Sequence, residues 1–133
     1  MEKKYEFLKL LLWIGIVFFV LWFLIFSVAP ASVLSALGVG EVDSYFLLLY
    51  GIFPLSWVPL FLFALKDVKK NIAIINGGII AAALIIISIV VFHFVISAPG
   101  WFQWLSAVIL FIYGVLLFIA KPKAPKKTGP LPE

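Results

Sequence analysis

The sequence contains no cysteine and no arginine, and its single histidine is His93. The lack of cysteine excludes disulfide bonds, thiolate catalysis and cysteine-ligated zinc or iron–sulfur centres. One histidine cannot assemble a zinc site, and haem held by two histidines would need a second copy of the chain. We therefore predict neither a metal nor a cofactor.

Charge is also scarce in this chain. Charged residues make up 12% of its 133 residues and hydrophobic residues 65%, whereas about 25% of a soluble domain is charged. The formal net charge of +4 is compatible with a nucleic-acid partner, but every basic residue is a lysine close to an apolar run. Such lysines orient membrane helices and contact lipid headgroups. The composition thus predicts an integral membrane protein with membrane lipid, and no nucleic acid, as a partner.

Four long uncharged runs occupy most of the chain. They cover about residues 10–28, 44–65, 72–97 and 101–120. A helix rises ~1.5 Å per residue, so about 20 residues match the ~30 Å hydrocarbon core of a bilayer. The runs do not alternate polar and apolar residues as membrane strands do. We predict an all-α membrane protein, with four antiparallel transmembrane helices forming one bundle within residues 1–120, because short connections force neighbouring helices to be antiparallel.

The lysines predict how these helices are oriented. With four spans, all ten fall on one side of the membrane: Lys3, Lys4, Lys9, Lys66, Lys69, Lys70, Lys121, Lys123, Lys126 and Lys127. The opposite connections carry only Glu41 and Asp43. Lysine-rich segments stay in the cytoplasm. We therefore predict a multi-pass protein of the cell membrane with cytoplasmic N- and C-termini, and residues 121–133 as a disordered Lys/Pro-rich tail.

The first run admits a second interpretation. Ala29, Pro30 and Ala31 resemble the A-x-A cleavage site of a signal peptide. The preceding apolar run exceeds the usual 7–15 residues of such peptides, and a proline occupies the middle of the motif. We interpret the run as a retained helix, with cleavage as the alternative.

Residues 32–40 follow the first run and predict a short interfacial helix, with an unstructured loop as the alternative. Ser32 would cap this helix and Gly38 would end it. In this interpretation Val33, Leu34 and Leu37 face lipid.

A few polar residues lie near the outer ends of the predicted helices. His93, Tyr50, Gln103 and Ser106 come to similar depth by residue count, and they predict a small polar pocket that opens outward. His93 is either a proton-sensitive group or metal ligand, or a neutral imidazole hydrogen-bonded near the interface. The alternative for the whole group is that its members satisfy one another or reach the headgroups. We assign no catalytic residue.

Two prolines interrupt the second run. Pro54 and Pro59 lack the N–H groups that would bond the carbonyls of Tyr50 and Leu55. Freed carbonyls line ion or substrate paths in some broken helices. The more common outcome is a kink whose carbonyls are satisfied by neighbours, by water or by a hydroxyl such as that of Ser56. We predict a helix kink here.

Small residues cluster near the cytoplasmic end of the third run. Gly77 with Ala81, and Gly78 with Ala82, have the spacing that lets helix backbones approach closely. Asn76 precedes them and can hydrogen-bond across such a contact. We predict a helix-packing surface here, either within the bundle or between copies of the chain.

Three features of residues 37–78 carry a family resemblance. They are Asp43 before the second run, Tyr50-Gly51 within it, and the turn sequence ALKDVKK at 64–70. In these features the chain resembles small four-helix bacterial and archaeal membrane proteins of the BphX-like and DoxX-like kind. The resemblance implies four spans, and it supplies no catalytic residue. The lack of arginine departs from what is expected of those families.

The runs contain no acid, lysine or arginine deep in the predicted membrane, where such groups mark proton relays and ion paths. The sequence therefore favours a small non-enzymatic accessory or structural subunit, in a homo-oligomer or a larger membrane complex. One alternative is an oligomeric transporter or channel for a small solute or ion. The other is a membrane redox or lipid enzyme, whose acid–base groups would have to come from His93, the tyrosines and the loop acids.

Overall fold

The computed structural model describes residues 2–39, 44–96, 100–123 and 129. These residues form helices and no strand. The helices are α1 (Glu2–Val28), α2 (Ala31–Ala36), α3 (Ser44–Leu55), α4 (Trp57–Lys66), α5 (Ile72–Ile96) and α6 (Trp101–Ala120). The loop acids Glu41 and Asp43, and most of the predicted tail, lie outside the described residues.

Four helical stretches are long and apolar enough to cross a membrane. They are Glu2–Val28, Leu47–Lys66, Ile72–Val95 and Trp101–Ala120. The prediction of an all-helical chain with four membrane-length helices is therefore confirmed.

The first helix is central and longer than its apolar run. It begins at Glu2 rather than near residue 10, because the preceding segment is rich in glutamate, lysine and leucine, which favour helix. Leu8, Leu12 and Ile16 are buried along it, and it packs against α3, α4 and α6. The fold is thus assembled around α1.

The second run is divided at Ser56, between the two prolines predicted to kink it. Pro54 lies near the end of α3 and Pro59 in the first turn of α4, where a missing N–H costs little. The Ser56 hydroxyl donates to the carbonyl of Phe53 over 2.6 Å. The Ser56 hydroxyl therefore bonds the carbonyl of Phe53 at the break, and not the carbonyls of Tyr50 or Leu55 that the prolines leave without helical donors.

The main core lies between α1, α4, α5 and α6. Its largest fully buried side chains include Phe61, Leu8, Leu12, Ile75 and Leu117. A second, smaller cluster contains Trp22, Phe26, Leu34 and Val39. The two clusters divide the interior into an end that includes α2, here called the α2 end, and an end that includes Lys4, Lys69 and Lys121, here called the lysine end.

Gly38 ends α2, as predicted. Its φ is +76°, a left-handed conformation that glycine adopts without steric cost. The N–H of Val39 donates to the carbonyl of Leu34 over 3.0 Å, and the N–H of Gly38 to that of Ser35 over 2.9 Å. These two bonds form a Schellman motif, and Val39 and Leu34 are both buried beside it.

Two predictions about this segment are wrong. The N-cap of α2 is Pro30, with no side-chain capping bond, and not Ser32. Leu34 does not face lipid, because it packs into the smaller cluster with Trp22 and Phe26. The reason is tertiary: the aromatic side chains of α1 offer Leu34 a buried position that local sequence does not reveal.

Two contacts fix α2 against the start of α6. The indole Nε1–H of Trp101 donates to the carbonyl of Ala36 over 3.0 Å. Gly100 lies so close to Gly38 that an added Cβ would overlap the Gly38 carbonyl group. The short helix is thus held by the bundle.

Candidate functional site

Tyr50 lies on α3 against the aromatic side chains of α1. Its ring is 6.1 Å from that of Trp22 and 5.4 Å from that of Phe26, measured between centroids. It is 36% exposed. Tyr50 therefore belongs to the edge of a ring cluster, with one side open.

His93 lies on the exposed side of α5. Its imidazole makes edge contacts with Phe94, at 5.4 Å, and with Trp104 of α6, at 5.3 Å. Within the described part of the chain, no hydrogen bond involves this imidazole. Among the described residues the imidazole is therefore held by ring contacts alone.

Gln103 and Ser106 lie on the buried side of α6, at 9% and 1% exposure. The Ser106 hydroxyl donates to the carbonyl of Phe102 over 2.8 Å, within its own helix. Gln103 Oε1 is buried and accepts no hydrogen bond from the described residues. Ser106 is therefore satisfied locally, whereas Gln103 retains an unused acceptor.

The four residues of the predicted outward pocket make their contacts with different parts of the structure. Tyr50 meets α1, His93 meets Trp104, and Ser106 bonds its own helix. Among the described residues, no hydrogen bond joins any two of the four. The outward pocket stays a prediction; of its four residues Ser106 is the most buried, and Gln103 is the one whose buried side-chain oxygen accepts no hydrogen bond from the described residues.

A ring cluster at the α2 end was missed by the sequence interpretation. The rings of Trp22, Phe26 and Phe102 lie within 5.2–6.2 Å of one another, and the tilted ring of Phe18 lies 5.8 Å from that of Trp22. The available signal was the four-residue spacing of the three aromatic residues of α1. That spacing places them on one side of the helix.

The same end of the molecule holds buried polar atoms that lack partners. Trp22 Nε1, Ser27 Oγ and Gln103 Oε1 are buried without a hydrogen bond in the described residues. An indole N–H donates, an amide oxygen accepts and a hydroxyl does both. The α2 end therefore carries hydrogen-bonding capacity that the chain itself does not use.

The glycines of the predicted packing surface lie against α4. A Cβ added to Gly77 would be 3.1 Å from the Trp57 ring, and one added to Gly78 would be 3.0 Å from the Phe61 ring. Neither ring has room for a methyl group without moving. The two glycines thus let two large aromatic side chains approach the backbone of α5.

Ala82 and Asn76 of this surface lie toward the end of the chain that contains α6 and Lys121. Ala82 is buried and would be 3.9 Å from a Cβ at Gly114, and Ala81 is half-buried. Asn76 Oδ1 accepts a hydrogen bond from Lys121 Nζ over 3.2 Å. Gly77, Gly78 and Ala82 therefore make packing contacts within one copy of the chain.

The described residues contain no group of three histidine, cysteine, aspartate or glutamate side chains arranged to hold a metal ion. No family model, curated protein or solved structure matches this chain.

Proposed function

We propose that the chain crosses the cell membrane as four antiparallel helices, with both termini in the cytoplasm, and serves as a non-enzymatic accessory subunit of a membrane complex. The observation that carries this proposal is the position of α5, a long apolar helix at the edge of the fold.

The exposed sides of the helices support insertion into a bilayer. Large apolar side chains such as Val17, Leu21 and Leu24 of α1 are about half exposed, while the opposite side of the same helix fills the core. A helix that is apolar all round belongs in a large core or in a membrane. The placement of all ten lysines on one side of a four-span chain supports cytoplasmic termini.

The edge position of α5 supports a role as a subunit. Within an apolar segment of 18 residues in α5 only 18% of the residues are buried, compared with 39% in the corresponding segment of α1, and its packing partners are α6 and α4. Ile80, Leu84, Ile87 and Val91 are all at least half exposed along it. This face is available to lipid or to a helix of another membrane protein.

The topology is tested by single cysteines, since the chain has none of its own. We expect Ser35→Cys to react with a membrane-impermeant maleimide in intact cells, and Lys69→Cys to react only after the cells are opened. Both positions are exposed. The reverse pattern would overturn the orientation.

The role as a subunit is tested in native membranes. We expect the chain to migrate with a larger complex in mild detergent, and deletion of the chain to lower the amount or activity of that same complex. Migration as a monomer or simple homodimer, with no complex altered by the deletion, would contradict the proposal.

A specific observation favours one alternative, an oligomeric transporter for a small solute. The unpartnered atoms of Trp22, Ser27 and Gln103 offer donors and an acceptor in an otherwise apolar interior. Solute flux in reconstituted vesicles, abolished by Gln103→Leu, would replace the subunit proposal with this one. A stable protein without flux for ions or small solutes would dismiss the transporter.

A further inference from the structure

A basic cavity lies at the lysine end, between the start of α1, the start of α5 and the end of α6. It encloses about 360 Å³. Its polar lining comes from Lys4, Lys121, Lys123 and Asn76, and Phe118 contributes to its apolar wall. Three lysines from two distant parts of the sequence therefore line one cavity.

This cavity has an excess of positive charge. In the described part of the chain, the one ion pair joins Lys70 to Asp67, so Lys4, Lys121 and Lys123 have no carboxylate partner there. Lys121 Nζ lies 4.3 Å above the Phe118 ring and bonds Asn76 Oδ1. Both contacts hold the ammonium group in place without neutralising it.

An apolar groove begins beside the basic cavity. It encloses about 250 Å³ between α5 and α6, and no polar atom lines it. Ala82, Ala83 and Gly114 give it depth, because their side chains are small or absent. Phe118 lines both the groove and the basic cavity, so the two are neighbours along the same side of the molecule.

The groove also runs in the direction of the helices. Its lining residues on α5 extend from Ile79 to Ile86, about 10 Å along the helix axis by the ~1.5 Å rise per residue. Such a groove has the shape of a hydrocarbon chain that enters the membrane from one interface. The basic cavity lies at the interfacial end of that path.

We infer that these two neighbouring features form a binding site for an anionic phospholipid of the cytoplasmic leaflet. The phosphate group binds the ammonium groups of Lys4, Lys121 and Lys123, and one acyl chain lies in the groove between α5 and α6. This inference rests on the proposed membrane topology, which puts the lysine end at the cytoplasmic interface. Basic pockets between helices on that side bind anionic headgroups.

Charge and shape together select this occupant. A phosphatidylcholine headgroup adds a cation that three unpaired lysines repel. An acidic peptide would neutralise the lysines but would not fill the groove. The groove lies within the membrane-length stretches and would need another molecule. A single phospholipid with a net negative charge fills both parts.

The charge requirement is tested with the purified full-length chain in nanodiscs of mixed phosphatidylglycerol and phosphatidylcholine. Native mass spectrometry after release measures which lipid is retained. We expect phosphatidylglycerol to be enriched at least tenfold over its share of the bilayer, and the triple variant Lys4→Gln, Lys121→Gln, Lys123→Gln to lose at least tenfold of that preference. One basic residue near an anionic lipid surface raises the binding affinity about fivefold.

A matched triple variant controls for net charge. Lys9→Gln, Lys66→Gln and Lys69→Gln remove the same charge from the same side of the molecule, and none of these lysines lines the cavity. We expect this variant to keep the preference within twofold. Equal losses in the two triple variants would overturn the site in favour of general charge attraction.

The acyl-chain requirement is tested at the neighbouring exposed positions Ala83 and Leu84. Ala83 lines the groove and Leu84 does not, so Ala83→Phe should shorten lipid retention several-fold and Leu84→Phe should not. Displacement of the lipid by inorganic phosphate at millimolar concentration would overturn the lipid assignment and leave a phosphate site.

A failure of the lipid-binding inference can be distinguished from a failure of the proposed function. A chain that inserts with cytoplasmic lysines but retains both lipids equally would overturn this inference alone. A chain with the opposite orientation would overturn the proposed topology, and with it the assignment to the cytoplasmic leaflet, whatever lipid it retains.

Discussion

The hydroxyl of Tyr113 donates a hydrogen bond to the carbonyl of Leu11 over 2.9 Å, and this buried bond joins α6 to α1 across 102 positions of sequence. Gly15, one turn after Leu11, leaves the space that the tyrosine enters. A Cβ at Gly15 would overlap the Tyr113 hydroxyl and would lie 2.9 Å from the Phe61 ring. The hydroxyl thus reaches α1 because glycine occupies this one position.

Tyr113→Phe removes this hydrogen bond and keeps the ring. Leu11 remains inside α1, where its carbonyl retains its helical partner, so we expect a modest loss of about 0.6–1 kcal/mol in the free energy of unfolding. Unfolding in mixed micelles measures the loss. Tyr50→Phe is the control, because no hydrogen bond in the described residues uses the Tyr50 hydroxyl. Equal effects of the two substitutions would show that the bond from Tyr113 to Leu11 contributes nothing specific.

Gly15→Ala should destabilise the fold far more than Gly114→Ala. The first introduces a methyl group where the Tyr113 hydroxyl and the Phe61 ring already lie, and overpacking of this kind costs about 1–3 kcal/mol. The second meets only Ala82, at 3.9 Å, which is an ordinary contact. The same unfolding assay compares the two, and a similar stability for both variants would mean that α1 and α6 are less closely packed than described.

Ser56→Ala should weaken the junction between α3 and α4. The serine hydroxyl donates to the Phe53 carbonyl at the break between the two helices, so we expect a loss of about 1 kcal/mol. Ser88→Ala is the control, since Ser88 donates to Leu84 inside the unbroken helix α5. We expect the control to lose less than half as much, and a larger loss in Ser88→Ala would contradict this role of Ser56.

Asp67 gives the turn between α4 and α5 a dependence on pH. The backbone N–H of Lys70 donates to its carboxylate over 3.2 Å and that of Lys69 over 3.1 Å, and these bonds and the nearby Lys70 ammonium group lower the pKa of Asp67. Because the pKa is lower in the folded chain than in the unfolded chain, the carboxylate stabilises the fold above about pH 4, and this contribution is lost as pH falls below that value.

Asp67→Asn isolates this contribution. The asparagine keeps an acceptor oxygen for the two N–H groups but does not titrate. We expect thermal unfolding between pH 5 and pH 3 to show a steeper loss of stability in the wild-type chain than in Asp67→Asn. Parallel pH profiles for the two proteins would show that the carboxylate contributes no stability at this turn.

Local features of the sequence were sufficient to predict which segments form helices. A run of about 20 apolar residues without charge has to form a helix in hydrocarbon, since nothing else there bonds its backbone. The fourth run matches α6 at both ends, at Trp101 and Ala120, and Pro54 and Pro59 flank the break at Ser56. Gly38 ends α2 because only a left-handed residue closes that turn.

The candidate site was less predictable. Counting residues gives the depth of Tyr50 and His93 but not the side of the helix on which they lie. The structure places Tyr50 against α1 and His93 on the exposed side of α5, beside Trp104. It also places Leu34 in the interior, where the sequence had indicated lipid.

The sequence by itself determined which segments form helices and where the lysines fall along the chain, because hydropathy and charge act locally. Only the tertiary structure decided which side of each helix is buried, and it placed Gly15 beneath Tyr113 and Lys4 beside Lys121. The physical reason is that helices apolar on every side carry no periodic signal, so small differences in side-chain shape select the packed faces.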